Sequence, residues 1–164
     1  MTEQQLIKVG MADLNIASGG EALKTTGLGS CVGLTLYDSV AKVGGMAHVM
    51  LPSSEIARES RINAAKYADT ALPQLIERME EAGARKARMV AKMAGGAQMF
   101  AFSGGADSLR IGPRNVETCT AILADLGIPI LAQDTGGNYG RTIELDSTSG
   151  TLSIRSVQHG IKEL

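Results

Sequence analysis

The apolar and polar positions of this chain fall into short segments, most alternating with a period of two and two following a helical spacing. Between Val32 and Tyr37, Val32, Leu34 and Leu36 take one side while Gly33, Thr35 and Tyr37 take the other, the pattern of a half-buried strand. A second apolar run, Val43 to Leu51, follows Asp38 and Ser39, both favoured turn residues, so the two runs predict a hairpin. Leu6 to Ile16 has a strand-like mixture and is expected to open the sheet; Leu23 to Leu28 leads into the first strand of the hairpin. Pro52-Ser53-Ser54 ends the second strand, and polar Glu55 to Asn63 is expected to be mobile. From Asn63 to Glu81 apolar residues recur at helical spacing up to Gly83, with Pro73 predicted to kink the helix or start a new one. Lys86 to Met93 reads as a strand, Pro113 to Leu126 as a second helix closed by Gly127, and Ile128 to Ala132 as a short buried strand. Arg141 to Leu145 and Leu152 to Val157 alternate around a polar turn and predict another hairpin. Many strands with two main helices predict an α+β class with largely antiparallel sheet.

The first hairpin carries the candidate chemistry. Cys31 precedes one strand and His48 lies in the other, and the point midway between them falls in the predicted turn. A two-residue connection would oppose the two directly, with Cβ atoms roughly 4.5–5.5 Å apart. Val32, Leu34 and Leu36 would then face Ala47, Gly45 and Val43, and Gly33 and Gly44 would leave open space beside the reactive pair for a large substrate. A thiol acts as a nucleophile when it becomes thiolate, and an imidazole is its usual base. A lowered Cys31 pKa is therefore expected.

At 164 residues the chain suits one domain, 1–164, with a real core. A net charge of −1 argues against electrostatic binding of nucleic acid, and aromatic residues at 3% argue against base stacking. No apolar run reaches the ~18–20 residues that span a bilayer. No signal-peptide pattern is present, and the two cysteines do not form a disulfide framework, so a reducing cytoplasm is expected. Cys119, between Val116 and Ile122, reads as core, and His159 as a solvated residue of a polar tail. Two histidines without a third ligand at suitable spacing argue against a zinc site, and no metal or cofactor is expected. Gly27-Leu28-Gly29-Ser30-Cys31-Val32 fails as a dinucleotide fingerprint, because a strand follows where a helix is needed. The paired-glycine loops at Gly95-Gly96 and Gly136-Gly137 read as turns, with Asp134 and Asn138 bonding locally.

Thr25-Thr-Gly-Leu-Gly-Ser-Cys-Val-Gly33 with Gly44-Gly-Met-Ala-His-Val-Met-Leu-Pro52 resembles the CheD family of chemoreceptor glutamine deamidases in bacterial chemotaxis. The match continues through Lys66 to Ala71, Ala94 to Phe100, Ile111 to Asn115, and Asp134 to Asn138 with Arg141, covering nearly the whole chain in order. The resemblance implies an α/β sandwich similar to that of cytotoxic necrotizing factor. It implies an amidohydrolase that turns selected receptor glutamines into glutamates, with a triad of Cys31 as nucleophile, His48 as general acid and base, and Thr25 orienting His48. It also implies binding to CheC, a phosphatase of the phosphorylated response regulator CheY. Backbone N–H groups near Gly29, Ser30 and Cys31 are candidates to meet the developing oxyanion, since glycine permits close approach. The rivals are a cysteine peptidase or acyltransferase using the same thioester chemistry, and a binding module that acts chiefly on CheC.

Overall fold

The alternating segments pair into two five-stranded sheets that face each other, with the helices on the far side of one. The computed structural model describes residues 4–54, 63–98 and 110–164. Its strands are β1 (Leu6–Lys8), β2 (Leu14–Ala17), β3 (Ala22–Leu28), β4 (Val32–Asp38), β5 (Val43–Val49), β6 (Met89–Gly95), β7 (Ile130–Thr135), β8 (Arg141–Asp146), β9 (Leu152–Ser156) and β10 (Gly160–Glu163). The helices are α1 (Ala68–Glu81) and α2 (Ile111–Leu126). One sheet has the order β1-β3-β8-β9-β10 and the other β2-β5-β4-β6-β7. Of these strands only β1–β3 and β6–β7 pair in parallel, so the α+β, largely antiparallel class predicted from the pattern is the one observed.

Two apolar layers result. Val32, Leu34, Leu36, Val43, Ala47 and Val49 join α1 and α2 residues such as Leu72, Leu75, Met79, Cys119 and Leu123. Leu23, Leu28, Cys31, Met46, Ala94, Ile143 and Leu145 fill the space between the sheets. Leu34, Leu36, Leu72 and Leu75 are wholly buried, each contributing about 1.5–3 kcal/mol. The central strands β4 and β5 are therefore buried on both faces, not half-buried as their alternation suggested. Gly33 and Gly44 do not border open space either. A Cβ at Gly33 would collide with Ile143 and Leu28, and one at Gly44 would come within 2.9 Å of Leu145 Cδ2. The second sheet occupies the room that the sequence reading assigned to substrate.

The hairpin itself has a four-residue connection, 39–42, and its register differs from expectation. Val32 pairs with Val49, Gly33 with His48, Leu34 with Ala47 and Leu36 with Gly45. Asp38 sets this turn. Its Oδ1 accepts the N–H groups of Val40 and Ala41, which holds both residues in the loop. The same carboxylate accepts from Arg85 N–H and from Arg88 Nε at 2.9 Å. Burial would push the Asp38 carboxyl up, but these four donors together hold it below its ordinary value. The partner of each strand residue moves by two positions, so every side chain keeps its predicted face.

Other elements depart from the pattern in local ways. Leu6 to Ile16 divides into β1 and β2, which lie in different sheets, with Ala12 at φ 55 in the turn between them. The first helix starts at Ala68, after a single 3₁₀ turn at Ala64–Lys66 and an extended Tyr67, and runs through Pro73. The break expected near proline is thus at Tyr67. A 3₁₀ turn at Lys86–Arg88 precedes β6. The second helix begins two residues before Pro113, and Gly127 closes it in the left-handed region at φ 73. The strand after it, β7, is an edge strand with alternating exposure and Leu131 at the surface, where a buried one was predicted. The polar tail adds β10 beside β9, and His159 is exposed with its ring 4.3 Å from that of Tyr139. The polar stretch expected to be mobile falls, through residue 62, outside the described residues, as do Met99 and Phe100.

Candidate active site

Thr25 and His48 are brought together by one irregularity in β3 and by the two-sided burial of β5, and Cys31 lies in the same layer between the sheets. Thr25 pairs with Ile143 and Leu28 with Arg141, with a register shift between them and Gly27 at φ 73. In a regular strand positions 25 and 28 would face opposite ways. The bulge turns both into the space between the sheets, where each is at most 1% exposed. His48 comes from the facing sheet and is wholly buried. Its Nδ1 lies 2.7 Å from Thr25 Oγ1, and that hydroxyl lies 2.7 Å from Val9 O.

Those two distances settle the imidazole's tautomer. A hydroxyl has one proton, and Val9 O, a pure acceptor, takes it. Thr25 Oγ1 must then accept from Nδ1–H, which leaves Nε2 as the free lone pair. Among the described residues Nε2 has no hydrogen-bond partner. An oriented base with a free lone pair is what proton abstraction requires. Thr25→Val keeps the shape but removes both bonds. Turnover at this site should fall about 10²-fold, and thermal unfolding should show a loss of about 1–3 kcal/mol from the unpaired Nδ1–H and Val9 O.

Cys31 stands just before β4, two positions from Gly33 and on the same face as His48. Because Gly33 pairs with His48, extending the β4–β5 ladder back to Cys31 sets the thiol diagonal to the imidazole, a relation of roughly 7–8 Å between Cα positions in a regular ladder. The direct opposition expected from the midpoint is replaced by this diagonal, for the same reason that the turn is longer. Burial pushes the Cys31 thiol above its ordinary 9.0, partly offset by its own backbone N–H. Burial likewise pushes His48 below 6.5. The lowered thiol pKa expected from sequence is thus reversed in the free protein. Between those two values the pair rests as neutral thiol and neutral imidazole. Alkylation of Cys31 by iodoacetamide should therefore keep rising with pH up to a midpoint above 9; a rate plateau already reached at neutral pH would reveal an ion pair instead.

The loop holding the thiol is tied on one side. Gly96 N–H donates to Cys31 O and Ala97 N–H to Gly29 O, both at 2.8 Å. A Cβ at Gly95, whose φ is 102, would collide with Cys31 O, so only glycine permits this approach. The second paired-glycine loop braces the first: Gly136 N–H donates to Gly95 O, and Gln98 N–H to Gly137 O. Arg141 in turn holds Gly136 O and Asp134. Asp134, read from sequence as bonding locally, is half of an ion pair with Arg141 and also lies 3.5 Å from Lys162 Nζ. Of the proposed oxyanion donors, Gly29 N–H is engaged by Gly27 O at 3.1 Å. The Ser30 N–H donates to no acceptor among the described residues, and the Cys31 N–H faces its own sulfur. Cys119, by contrast, lies wholly in the helical core with its thiol pushed up to about 12 by burial, which makes it inert.

The family model for CheD chemotactic sensory transduction matches residues 50–156. A Halalkalibacterium halodurans protein called chemoreceptor glutamine deamidase CheD is 54% identical over 97% of this chain and 98% of its own. The chain belongs to the CheD family. A second CheD of the same name, from Bacillus subtilis, is 48% identical over 99% of this chain and 98% of its own. The crystal structure of a DUF152-family protein from Neisseria meningitidis is similar at a TM-score of 0.53, covering 83% of this chain and 65% of that one at 11% identity. That likeness is one of fold alone. The CheD resemblance seen in the sequence therefore stands, and it spans both the Thr25–His48 pair and the two glycine loops that brace the thiol.

Proposed function

We propose that this chain is a single-domain chemoreceptor glutamine deamidase, acting in the cytoplasm on the carboxamides of selected receptor glutamines. The observation that carries the reading is the Val9–Thr25–His48 relay, which leaves a buried Nε2 lone pair on the face that bears Cys31. Membership of the CheD family supplies the substrate class. Both cysteines are free thiols, in keeping with a reducing compartment, and no helix among the described residues is long and apolar enough to cross a membrane.

The chemistry follows from these groups. His48 Nε2 takes the Cys31 proton as the sulfur attacks the glutamine carboxamide carbon. Because the free thiol and imidazole are both neutral, this transfer occurs as substrate enters and brings thiol and base together. Charge on the amide oxygen is met by the Ser30 and Cys31 N–H groups. The carbon–nitrogen bond then breaks, with His48 returning its proton to the departing ammonia and a thioester left on Cys31. A water that His48 deprotonates attacks the thioester, releasing glutamate and restoring the thiol. Thr25 holds the ring in one tautomer throughout.

The test is peptide mass spectrometry of a receptor cytoplasmic fragment after incubation with the protein. Conversion of a few glutamines to glutamates, with the backbone intact, supports the deamidase; backbone cleavage would favour a peptidase, and no conversion on several cognate receptors would refute the reading. CheC binding, the family's companion role, stands beside this chemistry. Stimulation of CheC phosphatase activity that survives Cys31→Ala would separate binding from catalysis.

A further inference from the structure

The proposed mechanism uses no residue of α2, yet α2 sends one polar side chain into the catalytic loop. Asn115 is wholly buried, and its Nδ2 donates to Ser30 O at 3.0 Å and to Met50 O at 2.9 Å. Ser30 immediately precedes the nucleophile, and Met50 lies two residues after the base. One amide group therefore joins the Cys31 loop to the end of the His48 strand, with both its protons used. Its Oδ1 is buried and has no partner among the described residues. Asparagine is also a poor helix former, and this one lies within α2 rather than at its cap. Burial, an unpaired oxygen and low helix propensity all count against asparagine here. Only the double donation favours it, and neither alanine nor aspartate supplies that.

The consequence for the reaction lies in peptide geometry. No peptide bond among the described residues is cis, and in a planar trans peptide the C=O and the following N–H point in opposite directions. Ala97 N–H fixes Gly29 O, Asn115 Nδ2 fixes Ser30 O, and Gly96 N–H fixes Cys31 O. Holding the first two carbonyls toward β6 and α2 turns the N–H groups of Ser30 and Cys31 the other way. We propose that Asn115 is a positioning residue for deamidation, which orients the Ser30–Cys31 peptide as an oxyanion donor. This rests on the deamidase reading above.

The test compares the full-length protein with Asn115→Ala and the near-isosteric Asn115→Asp. Deamidation of a receptor fragment should show kcat lowered about 10–10²-fold with KM changed less than about twofold, as expected for misplaced oxyanion donors. Aspartate should do worse than alanine, because it sets a carboxylate against two carbonyl oxygens. Iodoacetamide attack on Cys31 develops no oxyanion, so its pH profile should stay as in the unsubstituted protein. Unchanged kcat in a folded variant, or kcat and alkylation falling together, would overturn the proposal. Hydrogen exchange judges the clamp without any activity. In the variants the Gly96 and Ala97 amides, bonded to Cys31 O and Gly29 O, should exchange at least about tenfold faster while α1 amides do not, and unchanged exchange would overturn it. If the unsubstituted protein modifies no receptor, the deamidase reading fails separately, and the exchange result still decides whether Asn115 holds the loop. Should both variants fail to fold, the Asn115 side-chain amide of the unsubstituted protein remains measurable: slow exchange supports the clamp and fast exchange overturns it.

Discussion

Cys31→Ala is expected to end glutamine deamidation while leaving both sheets folded. In the proposed mechanism the sulfur forms the only covalent bond to substrate, and no second thiol can replace it. Cys119 is wholly buried in the opposite apolar layer and its thiol is pushed up to about 12. Activity should therefore fall by on the order of 10⁴-fold or more, since removal of a triad nucleophile leaves only what binding and oxyanion contacts provide. Stability should change little. The side chain is small, lies at 8% exposure at the rim of the inter-sheet layer, and its truncation removes a methyl-sized group costing about 1 kcal/mol. Mass spectrometry of the receptor fragment, with a thermal melt of the variant, reads both quantities. Loss of activity together with collapse of the melt would indicate a structural cysteine; full activity would remove Cys31 from the mechanism.

His48→Gln should be almost as damaging, for a different reason. Glutamine has no titratable lone pair near neutrality, so the thiol, already pushed above 9.0 by burial, loses its only proposed proton acceptor. A loss on the order of 10³–10⁴-fold in kcat is expected. The pH dependence separates this from simple disruption. In the unsubstituted protein the imidazole must be neutral, and its burial holds its pKa below 6.5. Deamidation should thus be fully retained above pH 6.5 and lost as pH falls through that lower value. In His48→Gln the residual rate should instead climb with pH as thiolate forms directly. A variant that keeps the acid limb would show that another group carries the proton.

The parts of the fold that were legible in the sequence are those set by local alternation and helical spacing. The strands around Cys31 and His48, both hairpins, and the end of the second helix at Gly127 follow from side-chain period and glycine. What escaped depends on distant partners. The hairpin register was misread because Asp38, which looks like an ordinary turn residue, is held by Arg85 and Arg88 from a separate segment. The supposed open space at Gly33 vanished because Ile143 of the other sheet fills it. β7 reads as apolar and buried, but its edge position in the sheet exposes alternate residues. The thiol pKa reversed because desolvation depends on what packs around it, which no motif records. At the site, Cys31 and His48 were accessible from residue chemistry, whereas Thr25 came only through the family resemblance and gains a physical role from its bonds to Val9 and His48. Asn115 was missed as a functional residue. It was visible only as part of a matching block, since both carbonyls it holds belong to remote parts of the chain.

The central claim is that Cys31 carries the glutamyl group between attack and hydrolysis. Its most direct test is rapid acid quenching of the protein turning over a glutamine-containing receptor peptide, followed by peptide mapping of the protein itself. The account predicts a transient adduct on Cys31 equal to the peptide less ammonia, which disappears as glutamate product accumulates and never forms on Cys119. Steady glutamate production with Cys31 never acylated, and still seen in Cys31→Ala, would contradict it.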